Sequence, residues 1–205
     1  MRLSIFPLSG ALLFPRAHLP LHIFEPRYRA LVADASARDR RIAMIQPRDT
    51  RGEDGAELFD VGCVGRIDQV EALDDGRFNL ILEGVQRFRL VRELEVSTSF
   101  RQIEADVEPY ADDLDDPEPL SSAARAGLEM EARQFADARG YRIDWDGLAR
   151  LDDETLVNGI AQIAPFDVSS KQAMLEADTL ADRTELIVQL LGFFKDWGDS
   201  RATLQ

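Results

Sequence analysis

The sequence predicts an α+β fold in which a β-rich first half precedes a helical second half. Short apolar segments bounded by proline or glycine dominate residues 1–103, which is typical of strands. After Ser121 the apolar residues recur every three or four positions, as on one face of a helix. Residues 104–119 hold eight acidic residues and three prolines, and we expect an irregular linker there because like charges repel and proline removes a backbone donor. The predicted domains are therefore residues 1–108 and 118–205.

Four strands are predicted at Arg2–Phe6, Leu19–Phe24, Arg41–Pro47 and Val61–Leu73. Asp75-Gly76 follows the last of them and favours a type I′ hairpin turn, because glycine readily adopts positive φ. Gly84, inside the next apolar run "LILEGVQRFRLV", predicts a bulge or bend. One helix interrupts the strands: it starts at Pro26 and presents Tyr28, Leu31, Val32 and Ala35 on one face.

Capping residues predict the helices of the second half. Ser121 is expected to start a helix that ends at Arg139 before Gly140, and Asp152 one that reaches Ile163. Ser169 and Gln172 have the spacing of a capping box for a third. The last helix, from about Leu180 to Trp197, has a broad apolar face that predicts a central position in a small bundle. That face comprises Leu186, Ile187, Leu190, Leu191, Phe193, Phe194 and Trp197.

Composition excludes several classes of protein. The chain has 45% hydrophobic and 30% charged residues, as ordinary globular proteins do. Residues 1–103 balance 15 arginines with 15 acidic residues, so residues 104–205 carry the whole net charge of −14, which disfavours binding to DNA or RNA. No apolar run is long enough to cross a membrane and no secretion signal is present, which predicts a cytoplasmic protein. Cys63 is the only cysteine and is expected to be a buried, inert thiol.

The motif search predicts a protein that is not an enzyme and holds no cofactor. Neither Lys171 nor Lys195 follows a glycine, so the sequence has no phosphate loop. Ser170 adjoins Lys171, but neighbours on a helix point apart and do not form a catalytic dyad. No nucleophile elbow or dinucleotide fingerprint is present.

A metal site is also not predicted. His18, His22 and Glu25 could be considered as ligands, but all three would have to come from one short segment. We expect instead that His18 lies on the surface and that His22 hydrogen-bonds a neighbouring loop. Glu83 and Arg87 are expected to form a salt bridge that holds the bend at Gly84.

Two sequence blocks resemble the N-terminal, substrate-binding domain of the Lon protease family. The first contains Pro7-Leu8, Leu12–Pro15, Pro20-Leu21, Phe24 and the helix from Pro26. The second contains Gly62, Val64, Ile67, Asp75-Gly76, Leu80, Leu82, Glu83, Gly84 and Arg87. The segment "LVNGIAQIAPFDVSSKQAMLEADTLADRTELIVQLL" is similar to the helical part of that domain. The segment "PLHIFEPRYR" resembles free-standing bacterial forms of it.

The resemblance implies a PUA-like β pseudo-barrel followed by a helical bundle, without ATPase or protease domains. It further implies a non-catalytic protein that binds unfolded or partner polypeptide, as an adaptor or regulator of proteolysis. A groove for unfolded chain would be lined by exposed apolar and aromatic side chains. The candidates are Phe14, Phe24, Glu25, Tyr28, Arg29 and Phe166, with Arg27 beside them.

Two other functions stay open at this point. PUA-like barrels can bind RNA, although the net charge opposes it. A small-molecule-binding or enzymatic module would need a deep polar pocket with convergent charges. The sequence does not determine the client or the oligomeric state.

Overall fold

The computed structural model describes residues 1–48 and 55–202, with side chains as far as Lys195. The predicted α+β class is confirmed, with six strands, six α-helices and one 3-10 helix in these ranges. The chain divides into two compact units, Met1–Asp116 and Pro117–Gln205, called here the barrel unit and the helical unit. Within the described ranges, no helix combines the length and apolarity needed to cross a membrane.

A six-stranded sheet forms the barrel unit. Its strands are β1 (Arg2–Pro7), β2 (His18–Ile23), β3 (Arg41–Pro47), β4 (Leu58–Ala72), β5 (Phe78–Leu94) and β6 (Gln102–Asp106). The order is β2-β5-β4-β3-β1-β6, and β5 also pairs with β6, so five strands close into a ring to which β2 is added. The β1–β3 pair is parallel and the other pairs are antiparallel.

The core of this unit has two layers, which is why β3 is apolar at nearly every position. Ile42 and Met44 face the helix α1 (Pro26–Ala37), whereas Ala43 and Ile45 face the barrel interior. Successive strand residues point to opposite faces, so a strand buried on both sides has no polar alternation. The predicted inner face of α1 is confirmed, with Tyr28, Leu31, Val32 and Ala35 buried.

The hairpin between β4 and β5 is confirmed, but the predicted type I′ turn is wrong. The loop is wider: the Gly76 N–H donates to the Leu73 carbonyl at 2.9 Å, and the Leu73 N–H donates to the Arg77 carbonyl at 2.8 Å. Gly76 has a φ of 79°, but Asp75 does not adopt a positive φ. A type I′ turn needs positive φ at both central residues, and here glycine serves only to reverse the chain into β5.

The predicted irregularity at Gly84 is confirmed, and it makes the predicted Glu83–Arg87 salt bridge wrong. The pairing of β4 and β5 shifts between Val64 and Gly65, so β5 has one extra residue beside Gly84. Such a bulge interrupts the alternation of faces. Glu83 consequently pairs with Arg66 on the exposed surface, while Arg87 turns inward.

The acidic segment is also different from the irregular linker predicted for residues 104–119. Its first residues belong to β6, and Glu108–Leu114 form a 3-10 helix. Asp113 is only 8% exposed and hydrogen-bonds Arg87. One buried ion pair therefore binds most of the segment to the barrel unit. Apart from Val107, only residues 115–120 are without regular structure, and none of these six is buried.

Limited proteolysis should distinguish these two parts of the acidic segment. Asp-N protease is expected to cut at Asp115 or Asp116 before Asp113, because cleavage needs exposed backbone that can open. Mass spectrometry of early fragments measures the order. Cleavage at Asp113 first would contradict the described packing.

The helical unit contains α2 (Ser122–Arg139), α3 (Trp145–Leu148), α4 (Asp153–Ile163), α5 (Val168–Glu176) and α6 (Leu180–Ala202). The predicted caps Ser121 and Asp152 are confirmed, and Gly140 ends α2 in the left-handed conformation. The predicted cap Ser169 is wrong: Asp167 caps α5 by accepting from the Ser170 N–H at 2.8 Å.

The last helix packs against α2, α4 and α5 of its own unit, as its broad apolar face predicts. Ile187 and Leu191 are buried, but Phe193 is 57% exposed. Arg183 joins three of these helices, since its Nη1 donates to Asn158 Oδ1 at 2.7 Å and its Nε to the Met174 carbonyl at 3.0 Å. The side chain of Trp197, also assigned to the apolar face, lies outside the described residues.

Candidate functional site

A groove of about 660 Å³ lies in the barrel unit along β2, β5 and the end of β4. We call it the β2–β5–β4 groove. Its lining residues are Pro20, Leu21, His22, Gln69, Val70, Glu71, Asn79, Leu80 and Ile81.

Strand register arranges these side chains in two rows on the face that points away from the core. Leu80 and Leu82 of β5 pack into the core layer beneath α1, so Asn79 and Ile81 point the other way. Ile81 stands between Pro20 of β2 and Gln69 of β4. Directly opposite residues share a face. This row has an apolar centre.

The second row is polar and consists of His22, Asn79 and Glu71, again from β2, β5 and β4. A register shift between Ile67 and Gln69 brings Glu71 to this face, because Ile67 itself packs in the core.

Hydrogen bonds join the polar row into a chain. The Asn79 Nδ2 donates to Glu71 Oε2 at 3.0 Å, and His22 Nδ1 lies 2.7 Å from Asn79 Oδ1. Arg77 Nη1 lies 3.2 Å from His22 Nε2. Since a guanidinium can only donate, Nε2 accepts and Nδ1 donates to Asn79. The row is therefore held in one hydrogen-bonded arrangement.

Phe24 extends the apolar surface at the end of β2. Its side chain is 61% exposed, and its ring stacks on that of His22 with centroids 6.4 Å apart and an interplanar angle of 27°. An exposed large apolar side chain beside a groove is typical of a binding surface. Phe24 is thus the predicted site residue that the fold brings next to the groove.

The charges around the groove are mostly paired. Asp75 binds Arg77, whose backbone N–H and then its guanidinium lower the pKa of Asp75. Glu83 binds Arg66, and its hydrogen bond raises the pKa of Arg66. Glu71 differs: in the described part of the chain, its carboxylate accepts a hydrogen bond from the neutral amide of Asn79 rather than from a cation.

Two more predicted residues lie on or beside the first turn of α1. Glu25 precedes the helix and forms a salt bridge with Arg27 at 3.0 Å. Arg29 lies against the β4–β5 loop, where a β-carbon on Gly76 would be 2.1 Å from its Nη2. Neither Glu25 nor Arg29 lines the groove.

The other three predicted residues are buried within their units. Phe14 is fully buried, and Tyr28 contacts the Phe6 ring with centroids 4.2 Å apart. Phe166 is 6% exposed and packs against Phe194 in the helical unit. None of these three residues offers an exposed surface for the peptide binding predicted for it. The candidate site therefore includes Phe24 but not these three.

Ile81, Asn79 and Glu71 were not identified from the sequence as site residues. The sequence signal that could have identified them is the alternation in "FNLIL", in which every second side chain points away from the core. The rows themselves depend on register between strands some 60 residues apart, since Pro20 pairs with Ile81.

The histidines do not form a metal site in the described part of the chain, where no group of three or more His, Cys, Asp or Glu is placed to hold an ion. His22 instead bonds Asn79 of β5 and Arg77 of the hairpin loop.

Cys63 is buried in β4, as predicted. Burial raises the pKa of its thiol to about 12, which suppresses the reactive thiolate at neutral pH.

A closed β-barrel that carries an exposed groove, in a chain that also has a helical unit, defines the class of the fold as α+β. Residues 2–192 match the family model described as the ATP-dependent protease La (LON) substrate-binding domain. The chain belongs to this family.

Curated relatives and solved structures agree with that assignment. Lon protease 1 of Bdellovibrio bacteriovorus is 27% identical over 202 residues, which cover 94% of this chain and 24% of the relative. Lon protease 2 of Syntrophobacter fumaroxidans is 26% identical over 179 residues, covering 85% and 22%. The chain thus spans about a quarter of the length of these relatives.

The crystal structure of a Lon N-terminal domain protein from Xanthomonas campestris has a TM-score of 0.65 at 22% identity and covers 94% of this chain and 98% of its own. The N-terminal domain of the Mycobacterium avium complex Lon protease has a TM-score of 0.67 at 15% identity, with the same coverage. At these identities the two structures support the fold alone.

Proposed function

We propose that this protein binds unfolded polypeptide in the β2–β5–β4 groove, without catalysing a reaction, and acts as an adaptor or regulator of proteolysis. The observation that carries the proposal is the exposed Phe24 beside a groove with an apolar central row, in a chain of the Lon substrate-binding family. An extended chain could place alternate side chains over Ile81 and Pro20.

The geometry supports this ligand better than the two alternatives. Ion pairs with acidic side chains already engage eight arginines of the barrel unit, which weakens the argument for RNA. The groove has Glu71 as its one acidic or basic lining residue apart from His22. A small charged substrate would need several convergent charges.

Replacing Phe24 by alanine is expected to weaken binding of a reduced, unfolded client about five- to tenfold, because an exposed aromatic anchor is lost. The measurement is a titration of wild type and variant. Phe193→Ala is the matched control, since Phe193 is similarly exposed at 57% but belongs to the helical unit, and it should bind as wild type does. The client should also remain intact when ATP is added.

Salt distinguishes apolar binding from binding through the arginines. Wild-type affinity should change little as salt is raised, because screening acts on charge and not on apolar contact. Absence of binding at about 100 μM, or roughly −5.5 kcal/mol, would refute the proposal. Binding that collapses with salt would favour RNA as the ligand.

A further inference from the structure

We infer that the β2–β5–β4 groove selects segments in which a lysine or arginine stands two positions from an apolar residue, with Glu71 receiving the cation. The inference rests on the proposed function and specifies its ligand. It follows from the charge of the groove and from the spacing of its two rows.

The charge of the groove comes from Glu71. The neighbouring acids Asp75 and Glu83 are neutralised by Arg77 and Arg66. Glu71 is exposed and accepts a hydrogen bond from the neutral Asn79 amide. A carboxylate has room for more than one donor, so the groove has an unneutralised acceptor at its polar row. A ligand with a cation at this position would be complementary to it.

The spacing of the rows sets where that cation must stand. Ile81 and Asn79 are two residues apart on β5, and their rows are therefore separated by about 6.4–6.8 Å at a rise of about 3.2–3.4 Å per residue. An extended ligand has the same rise, and its residues i and i+2 face the same side. When residue i covers Ile81, residue i+2 or i−2 covers the row that contains Glu71. The residue between them faces away.

Four capped peptides in a Gly-Ser host test this. They carry Phe-Ser-Phe-Ser-Lys, the same segment ending in Gln or in Glu, and Phe-Ser-Phe-Lys-Ser, in which the lysine points to the opposite side. Calorimetric titration at low salt should give about two- to fivefold tighter binding of the first peptide than of the Gln or shifted peptide, the range for an exposed ion pair. The Glu peptide should bind most weakly. The differences should vanish at 1 M salt, where the Debye length is about 3 Å.

Two protein variants decide whether Glu71 is responsible. Glu71→Gln keeps an acceptor for Asn79 but loses the charge, and it should bind the Lys and Gln peptides equally. Glu95→Gln is the matched control. Glu95 is exposed just beyond the other end of β5, and its replacement changes the net charge by the same amount. This variant should keep the wild-type preference.

Any other result would contradict the inference, and each such result would do so for a different reason. Equal binding of the Lys, Gln and shifted peptides by wild type would overturn the inference and leave polypeptide binding intact. A preference that survives Glu71→Gln would show that Glu71 does not receive the cation. A preference that Glu95→Gln abolishes equally would show that it depends on net charge. Either result overturns the inference. If no peptide binds but the unfolded client does, the groove is not the site. If neither binds, the proposed function fails as well.

Discussion

Asp113→Ala is expected to destabilise the barrel unit by about 3–5 kcal/mol, the cost of leaving a buried charge without its partner. Arg87 and Asp113 form a salt bridge at 2.8 Å, and their side chains are only 7% and 9% exposed. The Asp113 carboxylate also accepts the Arg87 backbone N–H at 2.8 Å. Its removal would take this acceptor away from the guanidinium and from the backbone donor together.

The surroundings of this pair explain why the loss would be large. Burial opposes the charge on Arg87, but the hydrogen bonds and charge of Asp113 outweigh it and raise the pKa of Arg87. The guanidinium also lies 4.7 Å from the centre of the Tyr110 ring. Gln86 Nε2 donates to the Val107 and Tyr110 carbonyls at 3.0 and 2.8 Å. Asp113 therefore anchors the 3-10 helix, which several polar contacts also hold against β5.

The two units can be followed separately in this experiment. Cys63 is the only cysteine and lies in the barrel unit, whereas both tryptophans lie in the helical unit. Thiol labelling of Cys63 across a urea series measures the barrel unit. Asp112→Ala is the control, because Asp112 is exposed and its loss should change stability by less than about 0.5 kcal/mol. Equal labelling midpoints for both variants would show that the buried ion pair does not stabilise the barrel.

Gly84→Ala should destabilise the same unit by about 1–3 kcal/mol, and Gly84→Val by at least as much. A β-carbon at Gly84 would lie 1.9 Å from the Phe14 carbonyl oxygen. The obstacle is backbone rather than a flexible side chain. It is also fixed, since Arg16 N–H donates to the Gly84 carbonyl at 2.8 Å and Gly84 N–H to the Ala17 carbonyl at 2.9 Å.

The same substitution at Gly127 should have the opposite sign. Gly127 lies inside α2, and a β-carbon there would meet nothing within 4 Å, so alanine should stabilise the helical unit by up to about 1 kcal/mol. Thiol labelling for Gly84 and tryptophan fluorescence for Gly127 give the two stabilities. An unchanged labelling midpoint in Gly84→Ala would mean that the loop before β2 moves aside at no cost.

Local signals in the sequence were sufficient for most element boundaries. Ser121, Asp152 and Gly140 act on backbone groups within three or four residues, so the helices that they start or end could be predicted. The inner face of α1 followed from a 3.6-residue period. Ser169 was mistaken for a cap because its spacing to Gln172 fits a capping box, whereas Asp167 accepts from the Ser170 N–H and the helix already begins at Val168.

Contacts between distant residues could not be predicted in the same way. The sequence showed eight acids in residues 104–119, and their mutual repulsion favours solvent exposure of the segment as a whole. It did not show that one of them, Asp113, would meet Arg87, which is 26 residues away and faces inward after the bulge.

The sequence by itself determined the α+β class, the two kinds of secondary structure in its halves, the irregularity at Gly84 and the family resemblance. These depend on local periodicity, capping and backbone conformation, which act over a few residues. Tertiary structure alone decided that Phe14 and Phe166 are buried while Phe24 is exposed. It also decided that Ile81 and Glu71 face one groove, because strand register aligns side chains that are far apart in the chain.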